Sequence, residues 1–171
     1  MAVTQFNLAQ GQRAERKLLI TVAEWSEGGS SPVREILGTR TEDSSIDYNA
    51  DIETTTDILG INYTDLNRTQ PQQDFDPYLI LGGSKLGAFL NDIRRRNALS
   101  ELNNFTIYII TAFAGSAGAY QAEKHTGCTI IYNSIGGDTN VNFPISVYLS
   151  NNITTGTVDK LADDFVFTAD T

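Results

Sequence analysis

The sequence predicts a mainly β protein, in which antiparallel sheets form a sandwich or barrel beside one flanking α-helix. Isoleucine, threonine, valine and aromatic residues are plentiful, and these residue types favour strands. Only one segment, near residues 84–98, has the apolar spacing of an amphipathic helix. Because strands and helices do not alternate in a βαβ rhythm, we expect the sheets to be antiparallel. We interpret the whole chain, 1–171, as a single domain.

The strands are predicted from short runs rich in β-forming residues, with turn residues between them. Residues 1–16 are polar with scattered apolar groups, and we interpret them as an N-terminal arm. The run 105–113 is apolar on both faces, which predicts a central strand covered on both sides. Residues 67–77 are predicted to form a polar loop. The predicted strands are 17–25, 33–40, an acidic segment that reaches residue 59, 61–66, 105–113, 120–124 with 128–135 (as a pair or as one broken strand), 141–149, 153–158 and 165–167.

The predicted helix has signals at both ends. Ser84 follows two glycines and is a good N-cap residue. Positive side chains suit the last turns, because they oppose the negative end of the helix dipole. The apolar stripe consists of Leu86, Phe89, Leu90 and Ile93, and the basic triplet is Arg94, Arg95 and Arg96.

The strongest single feature is the acidic segment 41–76. It contains nine acidic residues and one base, Arg68, so it carries −8 of the formal net charge of −9. From Asp43 to Asp57 acidic and polar residues occupy the odd positions, while the apolar residues of this stretch fall on even positions. A period of two places alternate residues on one side of an extended strand. The segment is therefore predicted to be a long extended hairpin or loop with a row of carboxylates on one face.

Composition excludes several classes of function. A net charge of −9 argues against a protein that clamps nucleic-acid phosphates, since that task requires clustered Lys and Arg. The single cysteine, Cys128, cannot form an internal disulfide and fits synthesis in a reducing cytoplasm. The sequence shows no apolar run of membrane-spanning length, and its start does not resemble a secretory signal. We therefore expect no membrane insertion.

The sequence gives only weak signals for three candidate sites: a phosphate-binding loop, a catalytic His–Cys pair and a calcium site. Gly82-Gly83-Ser84-Lys85 precedes a helix but does not match the spacing of a phosphate-binding P-loop. His125 and Cys128 are the only residues of their types, and a catalytic pair is possible in principle. A packed thiol beside a turn at Gly127 fits their spacing better.

A calcium site on the acidic segment is the third option. Asp47, Asn49, Asp51 and Glu53 alternate. Alternate side chains of a strand stand in parallel about 7 Å apart and do not converge on an ion. We therefore predict no catalytic residues, no metal site and no cofactor.

The row of acidic residues would destabilise a monomeric protein. Like charges side by side destabilise a strand, and an extended ribbon exposes unpaired hydrogen-bonding edges. Both observations indicate that another subunit completes the ribbon. The basic triplet is then a possible patch of counter-charge between subunits, although a solvated helix end explains it equally well.

The order and character of these elements resemble the major tail-tube proteins of long-tailed bacteriophages, over about Lys17–Val158. The segments that carry the resemblance are KLLITVAEW, GTRTEDSSIDYNADIETTTDILG, QPQQDFDPYLI, SKLGAFLNDIRRR, FTIYIITAF, GCTIIYNSIGGDTNVNFPISVYLS and TTGTV. The resemblance implies a β-sandwich or barrel-like protein made in the bacterial cytoplasm and incorporated into the virion. Six copies would form a ring, and rings would stack into a hollow tube that delivers DNA.

The resemblance also implies partners and a division of the acidic segment. The partners are further copies of the chain, a tape-measure protein, a tail terminator, tail-tip or baseplate proteins, and double-stranded DNA that passes without specific binding. Since the lumen of such tubes is negatively charged, we assign the lumen to an acidic row of Asp43, Asp47, Asp51, Glu53 and Asp57. We assign contacts between stacked rings to a loop that contains Asp65, Arg68, Asp74 and Asp76. The alternatives are a non-enzymatic β-sandwich binding or adhesion module of a virion and, less favoured, a small β-barrel enzyme that uses His125 and Cys128.

Overall fold

The computed structural model describes residues 5–171 and confirms a mainly β, antiparallel fold with one α-helix. The first four residues of the predicted arm lie outside the described residues. Within them the elements are β1 (Leu19–Trp25), β2 (Val33–Ile36), β3 (Ile46–Asp47), β4 (Asp51–Thr56), β5 (Asn62–Arg68), β6 (Gln72–Phe75), α1 (Lys85–Arg96), β7 (Phe105–Ser116), β8 (Ala119–Tyr132), β9 (Ile145–Tyr148), β10 (Ile153–Val158) and β11 (Phe167–Ala169), with 3-10 turns at Arg16–Leu18 and Leu99–Asn103.

Nine strands form one continuous antiparallel network. Its main order is β2-β1-β7-β8-β9-β6-β3, and β10 joins it through β8 and carries β11. The remaining strands, β4 and β5, pair only with each other. Strand β7 lies between β1 and β8, as expected for a central strand.

The long strand β8 connects two parts of this network. Its first half pairs with β10 through residues 120–125, and its second half pairs with β9 through residues 129–132. Between them Gly127 adopts a positive φ of 73° and is an extra residue opposite β7. A bulge of this kind bends the strand and increases its twist. The predicted turn at Gly127 is thus a bulge inside one long strand.

Both faces of β1 and β7 are buried. One face lies under α1 in the larger apolar core, whose members include Trp25, Phe105 and Ile107. The other face packs in a second core with Tyr108, Ile110 and residues of the C-terminal segment. The prediction of a strand covered on both sides is confirmed.

The helix is confirmed within the predicted range. The Ser84 hydroxyl accepts a hydrogen bond from the Gly87 N–H at 3.2 Å, and Asn97 ends the helix in the left-handed region. Leu86, Leu90 and Ile93 are fully buried. No helix within residues 5–171 is long and apolar enough to span a membrane.

The predicted loop at residues 67–77 is wrong. It contains the end of β5 and all of β6, and β6 pairs with both β3 and β9. The sequence QQDF has little intrinsic strand preference, but Gln73 and Phe75 point into the protein and are each 1 % exposed. Tertiary pairing and burial have overridden local propensity here.

A buried polar contact holds β6 against β1. The Thr21 hydroxyl donates to Gln73 Oε1 at 2.8 Å, and Gln73 Nε2 donates to the Ser44 hydroxyl at 3.1 Å. Ser44 in turn donates to the Asp74 carbonyl at 2.7 Å. Arg16 reaches the same place and donates to the Ser44 carbonyl at 2.8 Å. The start of the acidic segment is thus hydrogen-bonded to the core.

We expect Thr21→Val to destabilise the protein by about 1–3 kcal/mol, because it leaves the buried Gln73 carbonyl without its donor. Urea unfolding measures the change. Thr154→Val is the matched control, since Thr154 is an exposed strand residue and its substitution should change stability by less than about 0.5 kcal/mol. Equal unfolding midpoints for the two variants would contradict the anchoring role.

Candidate assembly surface

The acidic segment folds as one projecting hairpin, residues 46–75, which we call the acidic ribbon. Its base is the β3–β6 pair, where Asp47 lies opposite Gln72. The Tyr48 carbonyl then accepts from the Gln70 N–H at 2.8 Å, and pairing resumes where Asp51 meets Arg68. Residues 57–61 form the tip. The outer strands β4 and β5 are exposed at every position.

The outer ribbon has two chemically different faces. Cross-strand pairing places Glu53 directly opposite Asp65, so two carboxylates are neighbours on one face. Ile52 lies opposite Leu66 on the other face, followed by Thr54 opposite Thr64. The two threonine hydroxyls are 3.4 Å apart, which fits a shared face. The predicted alternation of acidic and apolar sides is therefore correct for the outer ribbon.

The five-residue acidic row does not form one straight line. Asn49 has a positive φ of 44°, which interrupts the strand between β3 and β4. Asp43 precedes β3 outside any strand, and Asp47 lies at the ribbon base. Only Asp51 and Glu53 belong to β4. The expectation of a single strand from Asp43 to Asp57 is wrong, because a left-handed residue ends the regular alternation.

The residues assigned to a separate contact loop lie on the same hairpin as the row. Asp65 and Arg68 belong to β5 and Asp74 to β6, while Asp76 follows β6. Arg68 Nε is 3.5 Å from Asp51 Oδ2, so a predicted loop residue pairs with a predicted row residue. Both sets therefore contribute residues to the strands of one hairpin, and the assignment of one set to the lumen and of the other to contacts between rings stays a prediction.

Asp57 organises the tip. Its Oδ1 accepts hydrogen bonds from the backbone N–H groups of Leu59 at 2.8 Å and Ile61 at 2.9 Å, and its Oδ2 accepts from the Tyr63 hydroxyl at 3.2 Å. The Ile61 N–H is the main cause that lowers the pKa of Asp57. The carboxylate thus remains ionised and holds the turn while Ile58 stands entirely in solvent.

The apolar face of the outer ribbon is not covered by any part of residues 5–171. Ile52 and Leu66 on this face are at least half exposed, as are Ile58, Leu59 and Ile61 at or beside the tip, and Tyr63 on the acidic face is half exposed as well. A two-stranded ribbon without further packing is marginal in water, and both of its edges present unpaired backbone groups. An apolar surface with free edges is typical of an interaction surface.

The basic triplet is partly neutralised within the chain. Arg96 forms ion pairs with Asp92 at 2.7 Å and Glu101 at 2.9 Å. Arg94 donates to the Asn91 side chain at 2.9 Å, and Arg95 is exposed. Any contact with another subunit would therefore rely on Arg94 and Arg95 more than on Arg96.

The helix N-terminus already has an anionic partner. The Glu35 carboxylate accepts from the backbone N–H groups of Lys85 at 2.5 Å and Leu86 at 2.9 Å, and from the Ser84 hydroxyl at 3.0 Å. The Tyr78 hydroxyl donates to the same carboxylate at 3.0 Å. Since this internal carboxylate occupies the anion position, the Gly82–Lys85 segment is a capped helix start and does not cradle a phosphate.

His125 and Cys128 are buried but are not arranged as a base and a nucleophile. The two ring nitrogens of His125 face the Ser150 carbonyl at 3.0 Å and a Glu123 carboxylate oxygen at 3.3 Å. The Cys128 sulfur contacts the Ser150 N–H at 3.4 Å and belongs to the larger apolar core. Burial raises the pKa of the Cys128 thiol, which therefore stays neutral. Within residues 5–171, no cluster of three or more His, Cys, Asp or Glu side chains could hold a metal ion.

No family model matches the chain, and no curated protein sequence matches it. Its structure is similar to a chain of the anti-feeding prophage (AFP) baseplate, determined by cryo-electron microscopy with six-fold symmetrisation. The two share 10 % sequence identity with a TM-score of 0.45, and the match covers 86 % of this chain and 97 % of that chain.

The contacts of His125 predict a pH-dependent contribution to stability. Burial acts to lower the pKa of His125, but hydrogen bonds to Glu123 and to Ser150 outweigh it and raise that pKa above 6.5. The same hydrogen bond lowers the pKa of Glu123 below 4.5. The pair therefore contributes fully between pH 4.5 and 6.5, and its contribution falls as pH rises through the folded pKa of His125.

Urea unfolding at pH 5.5 and pH 8.5 measures this contribution. We expect the wild type to lose more stability over this interval than Glu123→Gln, by less than about 1 kcal/mol because Glu123 is half exposed. Asp138→Asn is the control, since it removes one carboxylate from an exposed residue outside β8. A pH dependence that Glu123→Gln leaves unchanged would contradict the ion pair.

Proposed function

We propose that this chain is a structural virion protein, the subunit of a bacteriophage tail tube, which forms hexameric rings that stack into a hollow conduit for DNA. The single observation that carries the proposal is the acidic ribbon. It projects from the folded body and exposes every residue of β4 and β5, including the apolar Ile52 and Leu66. Such an element is stabilised when other copies cover it. The sequence resemblance to tail-tube proteins indicates which assembly this would be, namely a tube of stacked rings.

The charge distribution supports a conduit for DNA. A surface rich in carboxylates repels phosphates, so a duplex can move past it without adhering. Glu53 and Asp65 form the most regular acidic face, because they are direct neighbours on adjacent strands. We therefore assign the lumen first to this face of the outer ribbon, with Asp51 partly neutralised by Arg68. Asp43 and Asp47 remain proposed lumen residues at the ribbon base.

Assembly would also give the unpaired strand edges hydrogen-bonding partners. Within residues 5–171, β2 pairs only with β1 and β4 pairs only with β5, so each offers a free edge. Pairing of such edges between neighbours around a closed ring removes the aggregation hazard that they present in a monomer. The tape-measure protein, the tail terminator and tail-tip proteins are the further partners that this function requires.

Negative-stain electron microscopy of the purified protein tests the proposal. We expect six-fold rings or long hollow tubes, because the ribbon and the free edges are completed only by other copies. Particles that remain monomeric or trimeric at every concentration would instead favour the binding or adhesion module.

A variant with a shortened ribbon tests whether the ribbon is required for assembly and not for folding. Replacing residues 52–67 by Asn-Gly joins Asp51 to Arg68, which are already cross-strand partners, through a favoured two-residue turn. None of the removed residues is buried, so we expect a folded, soluble protein with an unchanged melting temperature that forms no tubes. This design spares β6, whose loss would remove the buried Gln73 and Phe75. Normal tubes from the shortened protein would contradict a role of the ribbon in assembly.

Charge reversal tests the lumen assignment. We expect tubes of Glu53→Lys/Asp65→Lys to retain short DNA duplexes at low salt, because two negative charges per subunit are replaced by two positive ones, which changes the charge of the wall by +4. Duplexes held inside a tube should be protected from nuclease, whereas duplexes held on the outer wall should be digested. Asp138→Lys/Asp170→Lys makes the same charge change at exposed positions outside the ribbon and is the control. Nuclease-sensitive binding by the ribbon variant would place these residues on the outside.

A further inference from the structure

His125 is buried between two hydrogen-bond acceptors. The residue is 3 % exposed and lies in β8, beside the turn that connects β9 to β10. Its Nδ1 faces the Ser150 carbonyl at 3.0 Å, and its Nε2 faces a Glu123 carboxylate oxygen at 3.3 Å. A neutral imidazole carries one N–H and one lone pair, so it can donate to only one of these oxygens. Only the imidazolium donates to both acceptors.

The two acceptors differ in their freedom to move. Ser150 is held by further bonds, because its hydroxyl donates to the Thr126 carbonyl at 2.5 Å and its N–H donates to the Cys128 sulfur at 3.4 Å. The Glu123 side chain is 48 % exposed and can turn into water. When the ring loses a proton, we expect the remaining N–H to stay on Ser150. The lone pair of Nε2 then faces the Glu123 carboxylate, which leaves the ring.

The released carboxylate adjoins a second one. Glu123 lines a cavity of about 110 Å³ together with Asp170, which follows β11 directly. Thr155 on β10 is the cross-strand partner of Glu123, and its carbonyl accepts from the Asp170 N–H at 3.0 Å. While His125 is protonated, its charge offsets that of Glu123. Without that proton, two carboxylates of like charge border one small cavity and repel each other.

The other side chains that surround His125 in the described residues are uncharged or point away from it. Its cross-strand neighbours on β7 and β10 are isoleucines, and the turn at residues 149–152 carries no ionisable side chain. Lys124 points to the opposite face, with its Nζ 5.8 Å from the centroid of the Tyr108 ring. The nearby Cys128 thiol is neutral, because burial raises its pKa. The charge on His125 therefore decides whether Glu123 is compensated.

Strand β11 is the element most exposed to this change. It comprises only three residues, Phe167–Ala169, and within residues 5–171 it pairs only with β10. The hydrogen bond from the Asp170 N–H extends this pairing by one residue. A short strand at the edge of a sheet opens locally at a smaller cost in free energy than the core strands do. A modest repulsion at Asp170 is thus enough to shift its equilibrium.

We infer that the charge on His125 controls how tightly β11 is held against β10. The imidazolium compensates Glu123 and keeps β11 closed, whereas the neutral ring releases Glu123 towards Asp170 and favours an open β11. This pH-sensitive switch does not depend on the proposed function in a tail tube, and either can fail without the other.

The switch operates where His125 titrates. Burial acts to lower the pKa of His125, but the hydrogen bonds to Glu123 and Ser150 outweigh it and raise that pKa above 6.5. The stabilising charge is therefore present at pH 6 and is lost as the pH rises through the folded pKa. Strand β11 should be held more firmly at pH 6 than at pH 8.5.

Hydrogen exchange of the full chain tests the switch. The readout is the protection factor of the Asp170 amide, which is corrected for the intrinsic exchange rate at each pH. We expect protection to fall about twofold to fivefold from pH 6 to pH 8.5, the effect of one pair of exposed like charges. Equal protection at the two pH values would overturn the inference.

Two variants separate the switch from a general loss of stability. Asp170→Asn removes the second carboxylate and leaves the pair of His125 and Glu123 intact, so the protection of the residue 170 amide should no longer depend on pH. Glu123→Gln should remove the dependence as well. Asp138→Asn is the matched control, since it neutralises an exposed carboxylate outside this region and should retain the wild-type fall. A fall that persists in Asp170→Asn would show that β11 responds only to overall stability, and the switch would be wrong.

Discussion

The attachment of β6 is the constraint on which the projecting part of the molecule depends. Strand β6 is the return strand of the acidic ribbon and is also a member of the main sheet, where it pairs with β9. Phe75 fastens it to the larger apolar core, and Gln73 fastens it to Thr21 through a buried hydrogen bond. Within residues 5–171, β4 and β5 pair only with each other, so the outer ribbon is attached to the body through this base. Its direction is therefore set by a few buried atoms at its base.

The packing of the protein body holds the buried side chains at the ribbon base in place. Strand β8 takes part in both halves of the sheet network and changes partners around the Gly127 bulge. The core beneath α1 fills the space on one side, and the C-terminal segment covers the other side of β1 and β7. Glu35 ties the N-terminus of α1 to the edge strand β2. The ribbon thus projects from a body in which α1 covers one face of β1 and β7 and the C-terminal segment covers the other face.

The sequence predicts this body better than it predicts the ribbon. Helix α1 and the central strand β7 have strong local signals, an apolar stripe with a cap in one case and an apolar run in the other, and both were predicted correctly. Strand β6 has no such signal, because its sequence QQDF becomes a strand only through β3 and β9. The break at Asn49 is equally invisible to a period-two pattern, since alternation in the sequence continues through a left-handed residue. The alternating inward positions of Gln73 and Phe75 are the one local sign that residues 67–77 contain a strand.

The acidic face of the ribbon limits the aggregation hazard that its apolar face and open edges create. A free ribbon with apolar side chains and two open edges is prone to pair with any exposed strand. The neighbouring carboxylates of Glu53 and Asp65 weaken the ribbon itself, because like charges lie directly opposite each other. They also repel the ribbon of another copy in a parallel or antiparallel approach, since the same charges would meet. The acids therefore disfavour ribbon-to-ribbon aggregation through the open edges of β4 and β5, although they weaken the isolated ribbon.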